Sequence, residues 1–363
     1  MSDPHPIDPD IRRARTLPSR FYHDPEIYRA ETERVFARSW QYVGDVSRLR
    51  APGHVLPVTL LEGCLDEPLV LTHAEDGQTH CLSNVCTHRG TIVVEGEGHL
   101  QTLRCRYHGR RFGLDGSFRF MPEFDDVEAF PSPSDDLPSL PLRSWGPLHF
   151  SSIDPMCDFE SWIRPIRERL DWLEPDRFTP HADRSADYLL SSNWALYCDN
   201  YLEGFHVPYV HGASLGDKLN YEAYETELFQ WANLQIGEAG AGEPCFDLPE
   251  GHPDEGRRIA AWYFWLFPNT MLNVYPWGLS LNVVMPLGPT RTRVVFRSYV
   301  ADPSLLDRGA GSDLHRVEME DEEIVESAQR GTRSRLYDRG RYSPRRERGP
   351  HHFHGLLTRQ LSD

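Results

Sequence analysis

The stretch CTHRGTIVVEGEGHLQTLRCRYHG, residues 86–109, decides how this chain is interpreted. It begins with a C-x-H pair, Cys86 and His88, and ends with a C-x2-H pair, Cys105 and His108, with sixteen residues between the pairs. A glycine follows each pair closely, as in a tight ligand loop. Two thiolates suit one iron of a two-iron cluster, and two imidazoles suit the other. The spacing therefore predicts a [2Fe–2S] site to which each loop contributes one cysteine and one histidine.

Zinc is the alternative occupant of these four side chains, since two cysteines and two histidines can also bind Zn²⁺ tetrahedrally. Zinc fingers usually pair cysteine with cysteine and histidine with histidine, whereas each loop here provides one of each. The mixed pairs favour the iron–sulfur cluster over zinc. They also favour it over buried cysteines and loop histidines that bind no metal.

A second pair of histidines lies in NYLEGFHVPYVH, residues 200–211. His206 and His211 would point ~140° apart on one straight helix, which is the wrong geometry for a shared metal. Pro208 lies between them and is predicted to end or kink a helix that spans 192–205. His206 would then project from the last turn, and His211 would fold back from the following loop. On this spacing alone, two structural histidines remain the alternative.

The third candidate ligand is Asp321, in a helix predicted from Ser312 to about Arg335. Stepping by three and four residues traces one stripe of this helix: Leu314, Val317, Asp321, Ile324 and Ala328. Four neighbouring glutamates largely fall off that stripe and are interpreted as a solvated acidic face: Glu318, Glu320, Glu322 and Glu323. A carboxylate on an apolar stripe needs a partner, because burying it unpaired is costly. An arginine could be that partner. So could Fe(II) bound with His206 and His211, in the facial triad of two histidines and one carboxylate.

These motifs resemble those of the Rieske non-haem iron oxygenases, and in particular their catalytic α subunit. The resemblance covers nearly the whole chain: Arg-Thr-Leu-Pro at 15–18, Phe21-Tyr22, Trp40, both cysteine–histidine loops, residues 200–211 and the helix from Asp321 to Arg330. Respiratory Rieske proteins carry an extra disulfide-forming cysteine in each loop, but Thr91 and Tyr107 occupy those places here. One departure from the family is Arg110, where many members have an aromatic residue.

The resemblance implies an α+β fold with two parts. One is a small antiparallel β Rieske domain, and the other is a helix-grip catalytic domain, in which an antiparallel sheet wraps around a long C-terminal helix. Short β-rich runs at 55–61, 68–72 and 91–95 alternate with turn residues, and residues 131–141 hold four prolines, as in an extended connection. We expect three segments: an N-terminal segment, 1–40, that packs with the catalytic domain, a Rieske domain, 41–150, and a catalytic domain, 151–363.

The resemblance also implies a terminal oxygenase that uses O2 and a mononuclear Fe(II), with electrons supplied one at a time by the [2Fe–2S] cluster. The chain shows no G-x-G-x-x-G dinucleotide fingerprint. We therefore expect NAD(P)H to be oxidised on a separate reductase, with or without a ferredoxin. Family members typically assemble as trimers in which the cluster of one subunit faces the iron of the next, so a homo-oligomer is expected.

Two further polar residues are candidates for catalytic roles. Glu203 lies three residues before His206, where it can accept a hydrogen bond from that ring. In the family this position holds the acidic bridge between His206 and the cluster ligand His108 of the partner subunit; an ordinary surface glutamate is the alternative. Asn200 matches the family's Asn-Tyr pair, but its role could be only structural.

Glu203 also indicates a branch of the family. Members that act on quaternary ammonium compounds such as choline, carnitine and betaines carry glutamate there, whereas many ring-dihydroxylating members carry aspartate. A set of six aromatic residues could supply cation–π contacts to such a substrate or could be ordinary sheet core: Trp262, Tyr263, Phe264, Trp265, Tyr275 and Trp277. The expected reaction is hydroxylation or oxidative demethylation of a small organic substrate. Aromatic-ring dihydroxylation is the alternative, and a Rieske electron-transfer protein without oxygenase activity is the alternative of another class.

Composition narrows the possible partners. The 363 residues include 38 Lys and Arg against 55 Asp and Glu, for a formal charge of −17, which argues against nucleic acid or anionic membrane as a partner. The longest apolar run, 259–267, is far shorter than the ~20 residues of a membrane span. The polar N-terminus has no apolar segment like that of a secretory signal, and the seven cysteines are scattered. A cytoplasmic location is the expectation.

Overall fold

Two compact units divide the chain: Ala37–Pro155 forms the smaller unit, and Met1–Phe36 with Met156–Asp363 forms the larger one. The structure is a computed structural model that describes residues 6–212 and 218–362. The two ends of the smaller unit are paired, since the Asp154 amide donates to the Ala37 carbonyl at 3.2 Å and Arg38 forms an ion pair with Asp154 at 3.3 Å. This pairing lies just outside the predicted boundaries at 41 and 150.

Polar contacts join the N-terminal segment to the rest of the larger unit. It comprises a 3₁₀ turn at Ser19–Tyr22, helix α1 at Pro25–Glu31 and a π-helical turn at Thr32–Phe36. The Asp24 side chain caps α1 by accepting from the Glu26 amide, which satisfies a first-turn donor. The Tyr22 hydroxyl donates to Asp199 at 3.0 Å, and the Trp194 indole donates to Glu31 at 3.1 Å.

The smaller unit is built from eleven short strands in three antiparallel sheets. Their bounds are β1 Gln41–Asp45, β2 His54–Leu60, β3 Glu67–His73, β4 Thr79–Ser83, β5 Gly98–His99, β6 Leu103–Arg104, β7 Arg111–Phe112, β8 Phe118–Phe120, β9 Ser139–Leu140, β10 Leu142–Trp145 and β11 Leu148–Ser151. The sheet orders are β5-β2-β3-β4-β9, β6-β7-β8 and β1-β11-β10. The predicted strand at 91–95 is wrong. That segment forms only an isolated bridge between Val85 and Ile92, because the Thr91 carbonyl turns back to accept from the Cys86 amide.

Within its described residues, the larger unit contains a seven-stranded antiparallel sheet and five helices besides α1. The helices are α2 Phe159–Leu170, α3 Trp194–Tyr201, α4 Val207–Val210, α5 Leu314–Gly331 and α6 Arg348–Ser362. The strands are β12 Thr179–Leu190, β13 Glu225–Leu228, β14 Ala232–Glu238, β15 Ile259–Leu266, β16 Thr270–Tyr275, β17 Gly278–Gly288 and β18 Arg291–Val300, in the sheet order β12-β18-β17-β16-β15-β14-β13. The predicted α+β class with antiparallel sheets is confirmed.

Capping residues and packing position the helices that carry the site. Asn193 caps α3 by accepting from the Ala195 amide, and Asp313 caps α5 by accepting from the Arg316 amide. Helix α3 packs against α5 and against β17. Helix α6, which the sequence analysis did not predict, buries Phe353 edge-on against Trp194 at a ring distance of 5.6 Å. None of the helices in the described residues is long and apolar enough to cross a membrane.

The buried face of α5 differs from the predicted apolar stripe. Ile324 is 44% exposed, and the buried positions are Glu318, Val325 and Gln329. Polar contacts determine which face of α5 is buried. Gln329 accepts from the Asn193 amide at 2.6 Å, and Glu318 accepts from the Tyr197 hydroxyl at 2.6 Å. The prediction that Glu318 belongs to a solvated face is therefore wrong. Asp321 still lies next to the buried face.

Candidate metal centres

The two cysteine–histidine loops fold in the same way. In each loop the cysteine amide donates to the carbonyl five residues later, at 2.8 Å for both Cys86 and Cys105. The glycine four residues after each cysteine donates back to the cysteine carbonyl, at 2.9 and 3.1 Å. These glycines, Gly90 and Gly109, have φ values of 71° and 78°, in the left-handed region that favours glycine. The two loops therefore share one backbone turn, in which the histidine follows the cysteine by two residues in the first loop and by three in the second.

The four predicted cluster ligands converge on one place. Cys86 and Cys105 are buried and carry free thiols, and the rings of His88 and His108 lie 4.8 Å apart between centroids. The Nδ1 atoms of both histidines are buried without a hydrogen-bond partner. A buried nitrogen without a partner is costly, and a metal ion would remove that cost. Two thiols and two unpartnered imidazole nitrogens fit a [2Fe–2S] cluster with mixed ligands.

The electrostatic environment acts differently on the thiols and on the imidazoles. Burial raises the pKa of the Cys86 thiol, and the adjacent Cys105 thiol raises it further. Burial lowers the pKa of His88, as do the positive charges of His108 and the nearby arginines. The imidazole is thereby held neutral, which metal binding requires, whereas the thiol needs a strong positive charge to ionise.

The segment that follows α3 places two histidines at the two ends of the short helix α4. Helix α3 ends at Tyr201, four residues before the predicted end, and the chain turns through Gly204 before α4 begins. A Cβ atom at Gly204 would lie 2.7 Å from the Tyr224 ring, so the turn requires glycine. His206 directly precedes α4 and His211 directly follows it. The prediction that Pro208 breaks the helix is wrong: Pro208 lies in the first turn of α4, where its missing N–H costs nothing.

His206, His211 and Asp321 come together as a candidate metal site. Their ligand atoms all lie within 4.8 Å of one another. Asp321 Oδ1 is 3.0 Å from Nε2 of His211 and 3.5 Å from Nε2 of His206. Two imidazole nitrogens and one carboxylate oxygen on a common point match the facial arrangement that binds Fe(II) and leaves other positions open.

Carboxylates orient both imidazoles. Nδ1 of His206 is 2.8 Å from Glu203 Oε1, and Nδ1 of His211 is 2.7 Å from Glu320 Oε2. With each Nδ1 paired to a carboxylate, Nε2 of each ring faces Asp321 Oδ1 and is the nitrogen through which that ring would bind a metal. The other oxygen of Glu203 accepts from the amides of Phe205 and His206. The contact that the sequence predicted between Glu203 and His206 is present.

Asn200 and the charge balance complete the surroundings of the triad. Asn200, on the last turn of α3, donates from Nδ2 to Asp321 Oδ1 at 2.6 Å and so orients the carboxylate. Burial acts to lower the pKa of His211, but the hydrogen bonds and negative charges of Asp321 and Glu320 outweigh it and raise that pKa. The solvated role predicted for Glu320 is therefore wrong. The only indication of this contact in the sequence is that Glu320 directly precedes the predicted ligand Asp321.

A cavity opens beside the triad and is unusually rich in tyrosine. Its wall includes the triad, Glu318, four amide side chains and five tyrosines: Tyr197, Tyr201, Tyr224, Tyr263 and Tyr275. Burial raises the pKa of Glu318 well above its usual range, and its Oε1 is buried without a partner. Of the six aromatic residues that the sequence singled out, Tyr263 and Tyr275 line this cavity. The other four are fully buried in the sheet core: Trp262, Phe264, Trp265 and Trp277.

Known proteins share both halves of this arrangement. Residues 39–131 match the Rieske [2Fe-2S] domain, and residues 175–363 match the ring hydroxylating alpha subunit (catalytic domain). The chain is 34% identical to the chloroplastic choline monooxygenase of Arabidopsis thaliana, over 98% of this chain and 85% of that one. It is 29% identical to the carnitine monooxygenase oxygenase subunit of Escherichia coli strain K12, over 97% and 95% of the two chains.

Solved structures agree with these matches. The quaternary ammonium Rieske monooxygenase CntA superposes with a TM-score of 0.79 at 25% identity, covering 97% of both chains. Naphthalene 1,2-dioxygenase from Rhodococcus has the same fold, with a TM-score of 0.74 at 20% identity, covering 96% of this chain and 94% of that one. Because residues 175–363 match the catalytic domain in addition to the Rieske match, the alternative of an electron-transfer protein without oxygenase activity is excluded. The chain belongs to the Rieske non-haem iron oxygenases, as a catalytic α subunit that uses a Rieske [2Fe–2S] cluster, mononuclear iron and O2.

Proposed function

We propose that this protein is the terminal oxygenase component of a system that hydroxylates or oxidatively demethylates a small quaternary ammonium compound. The observation that carries the proposal is the cavity beside His206, His211 and Asp321, where five tyrosines surround one buried carboxyl group, Glu318. The similarity to choline and carnitine monooxygenases supports the same substrate class.

The wall of this cavity is chemically suited to a cation without N–H groups. Tyrosine ring faces attract a methylated ammonium group by cation–π interaction, which contributes about 0.5–2 kcal/mol per contact. The rings of Tyr224 and Tyr263 are 6.3 Å apart and those of Tyr263 and Tyr275 are 6.0 Å apart, so neighbouring rings form a continuous aromatic wall. A cation here would favour the ionised form of Glu318. A neutral arene would leave the buried oxygen of Glu318 without a partner.

Each residue around the triad has a proposed task. Iron bound by His206, His211 and Asp321 would supply O2 activation at its open positions. Glu203 and Glu320 hold the two imidazoles in the tautomer that exposes Nε2, and Asn200 holds the carboxylate. These three hydrogen bonds preserve the geometry of the metal-binding side chains when substrate enters and leaves.

Electrons are proposed to reach the iron from the cluster of another subunit in a homotrimer, with Glu203 as the bridge between His206 and His108 of the partner subunit. Tyr107, next to a cluster ligand, is 56% exposed, and Tyr209, next to the iron ligands, is 79% exposed. Large exposed aromatic side chains beside each centre suit a protein–protein interface. A separate NAD(P)H-dependent reductase, with or without a ferredoxin, would reduce the cluster.

The test is a substrate screen with iron-loaded protein and a reductase. The panel contains choline, carnitine, γ-butyrobetaine and glycine betaine, together with naphthalene and benzoate. Products are identified by mass spectrometry, and formaldehyde is followed separately, because O2 consumption alone also reports uncoupled turnover. The neutral control is 3,3-dimethylbutanol, which replaces the ammonium nitrogen of choline by carbon. We expect product from at least one cation and much less from the control. A cis-dihydrodiol from an arene, with no cation turned over, would replace this proposal by ring dihydroxylation.

A further inference from the structure

Arg110 is a buried cation beside the predicted cluster loops. It follows the His108-Gly109 pair, and its side chain is only 2% exposed. The guanidinium carbon lies 5.7, 5.0 and 5.6 Å from the ring centroids of Phe112, Phe118 and Phe130. Burying a charge among aromatic rings requires a compensating partner, because desolvation is costly. Such a residue is expected to have a role that an uncharged side chain could not perform.

The partner is Asp135, which also connects the two loops. Nη2 of Arg110 is 2.6 Å from the Asp135 carboxylate and 3.0 Å from its carbonyl oxygen. The same carbonyl accepts from the hydroxyl of Thr87 at 2.8 Å, and Thr87 lies between the ligands Cys86 and His88. Each cluster loop therefore contributes one donor to a single residue.

The two charges of this pair are not equally screened. The Arg110 side chain is almost completely buried, whereas the Asp135 side chain is 19% exposed, so water screens the negative end more than the positive end. The uncompensated part of the field inside the smaller unit is therefore positive. Arg110 is also bonded directly to the second ligand loop, since its carbonyl accepts from the Cys105 amide at 2.8 Å.

We propose that the Arg110–Asp135 pair sets the reduction potential of the cluster. When the reductase donates one electron, one ferric iron becomes ferrous and the cluster gains one negative charge. The buried guanidinium stabilises that added charge and raises the potential, and the Asp135 carboxylate offsets part of the increase. The proposal rests on the cluster and not on the identity of the substrate, so failure of the substrate screen would leave it intact.

The test compares midpoint potentials by dye-mediated titration of the visible absorption of the cluster. Arg110→Met removes the cation and should lower the potential. Asp135→Asn removes the counter-charge and should raise it. Each shift should be on the order of tenfold in the oxidised-to-reduced ratio at a fixed potential, which is ~59 mV for a one-electron couple. Arg110→Lys keeps the charge and should remain close to wild type.

The matched control is Arg106→Met. Arg106 belongs to the same ligand loop but is 73% exposed and forms a surface ion pair with Glu95 at 2.7 Å, so its removal should leave the potential nearly unchanged. Iron and sulfide content and the electron-resonance spectrum of the reduced cluster verify that each variant is intact. Shifts of the same sign in Arg110→Met and Asp135→Asn, or no shift in either, would overturn the proposal. If Arg110→Met fails to assemble the cluster, Asp135→Asn alone decides the question. The proposal is then overturned if the potential of Asp135→Asn does not rise.

Discussion

Replacing Glu320 by alanine should weaken iron binding at the triad by about 10- to 100-fold, the usual effect of removing the carboxylate behind a metal-binding histidine. The structure supports that magnitude. The replacement removes a 2.7 Å bond to Nδ1 of His211, whose side chain is only 1% exposed. A hydrogen bond to a charged group contributes about 1.5–3 kcal/mol, and 100-fold in affinity corresponds to about 2.7 kcal/mol. The second contact of Glu320, with the half-exposed Arg316 at 3.2 Å, adds little.

The assay is anaerobic competition between the protein and a coloured ferrous chelator, with the cluster followed independently by its absorption. Glu323→Ala is the matched control, because Glu323 belongs to the same acidic run and is exposed. Glu320→Gln should fall between the two, since its amide oxygen can still accept from His211. Asp321→Ala removes a proposed ligand and gives the lower limit of affinity.

Equal iron affinity in Glu320→Ala and Glu323→Ala would refute this reasoning. It would mean that His211 is oriented by its surrounding packing and that the acidic run acts only through its overall charge. Loss of the cluster absorption in Glu320→Ala would show a general folding defect and would also refute a role confined to the triad.

Three further outcomes are expected. Glu203→Gln should retain both metals, but a prereduced sample should oxidise its cluster far more slowly than wild type when substrate and O2 are added; an unchanged rate contradicts the bridge. Glu318→Gln should raise KM for cationic substrates at least several-fold and leave the affinity for 3,3-dimethylbutanol unchanged; equal effects on both compounds contradict recognition of charge. Burial raises the pKa of Glu31 to about 8 from an ordinary value of 4.5, so the folded protein keeps a proton that the unfolded chain releases between those pH values. Its stability contribution is thus present below about pH 4.5 and falls by about 1.4 kcal/mol per pH unit up to about pH 8. Glu31→Gln should remove this dependence from the melting temperature, and equal pH slopes in both proteins contradict it.

Local motifs could be interpreted from the sequence, whereas contacts between polar helix faces could not. The loops of Cys86 and Cys105 depend on a turn whose spacing is visible in the sequence, so the side chains predicted to lie together do lie together. The face of α5 was predicted from apolar periodicity, but its neighbour α3 presents Tyr197 and the Asn193 amide, which select Glu318 and Gln329. Apolar periodicity carries no information about such partners. The end of α3 was misplaced for a similar reason, because the approach of Gly204 to Tyr224 is a tertiary contact.

The pairing of Asp154 with Ala37 has a consequence for how such proteins can be built. The two ends of the smaller unit are hydrogen-bonded to each other. The whole unit can therefore be exchanged without stretching the remainder of the chain. A short turn could replace the whole of Ala37–Pro155 and leave Phe36 connected to Met156. Chimeric enzymes that combine this substrate cavity with cluster units of different potential should therefore be joined at these two residues.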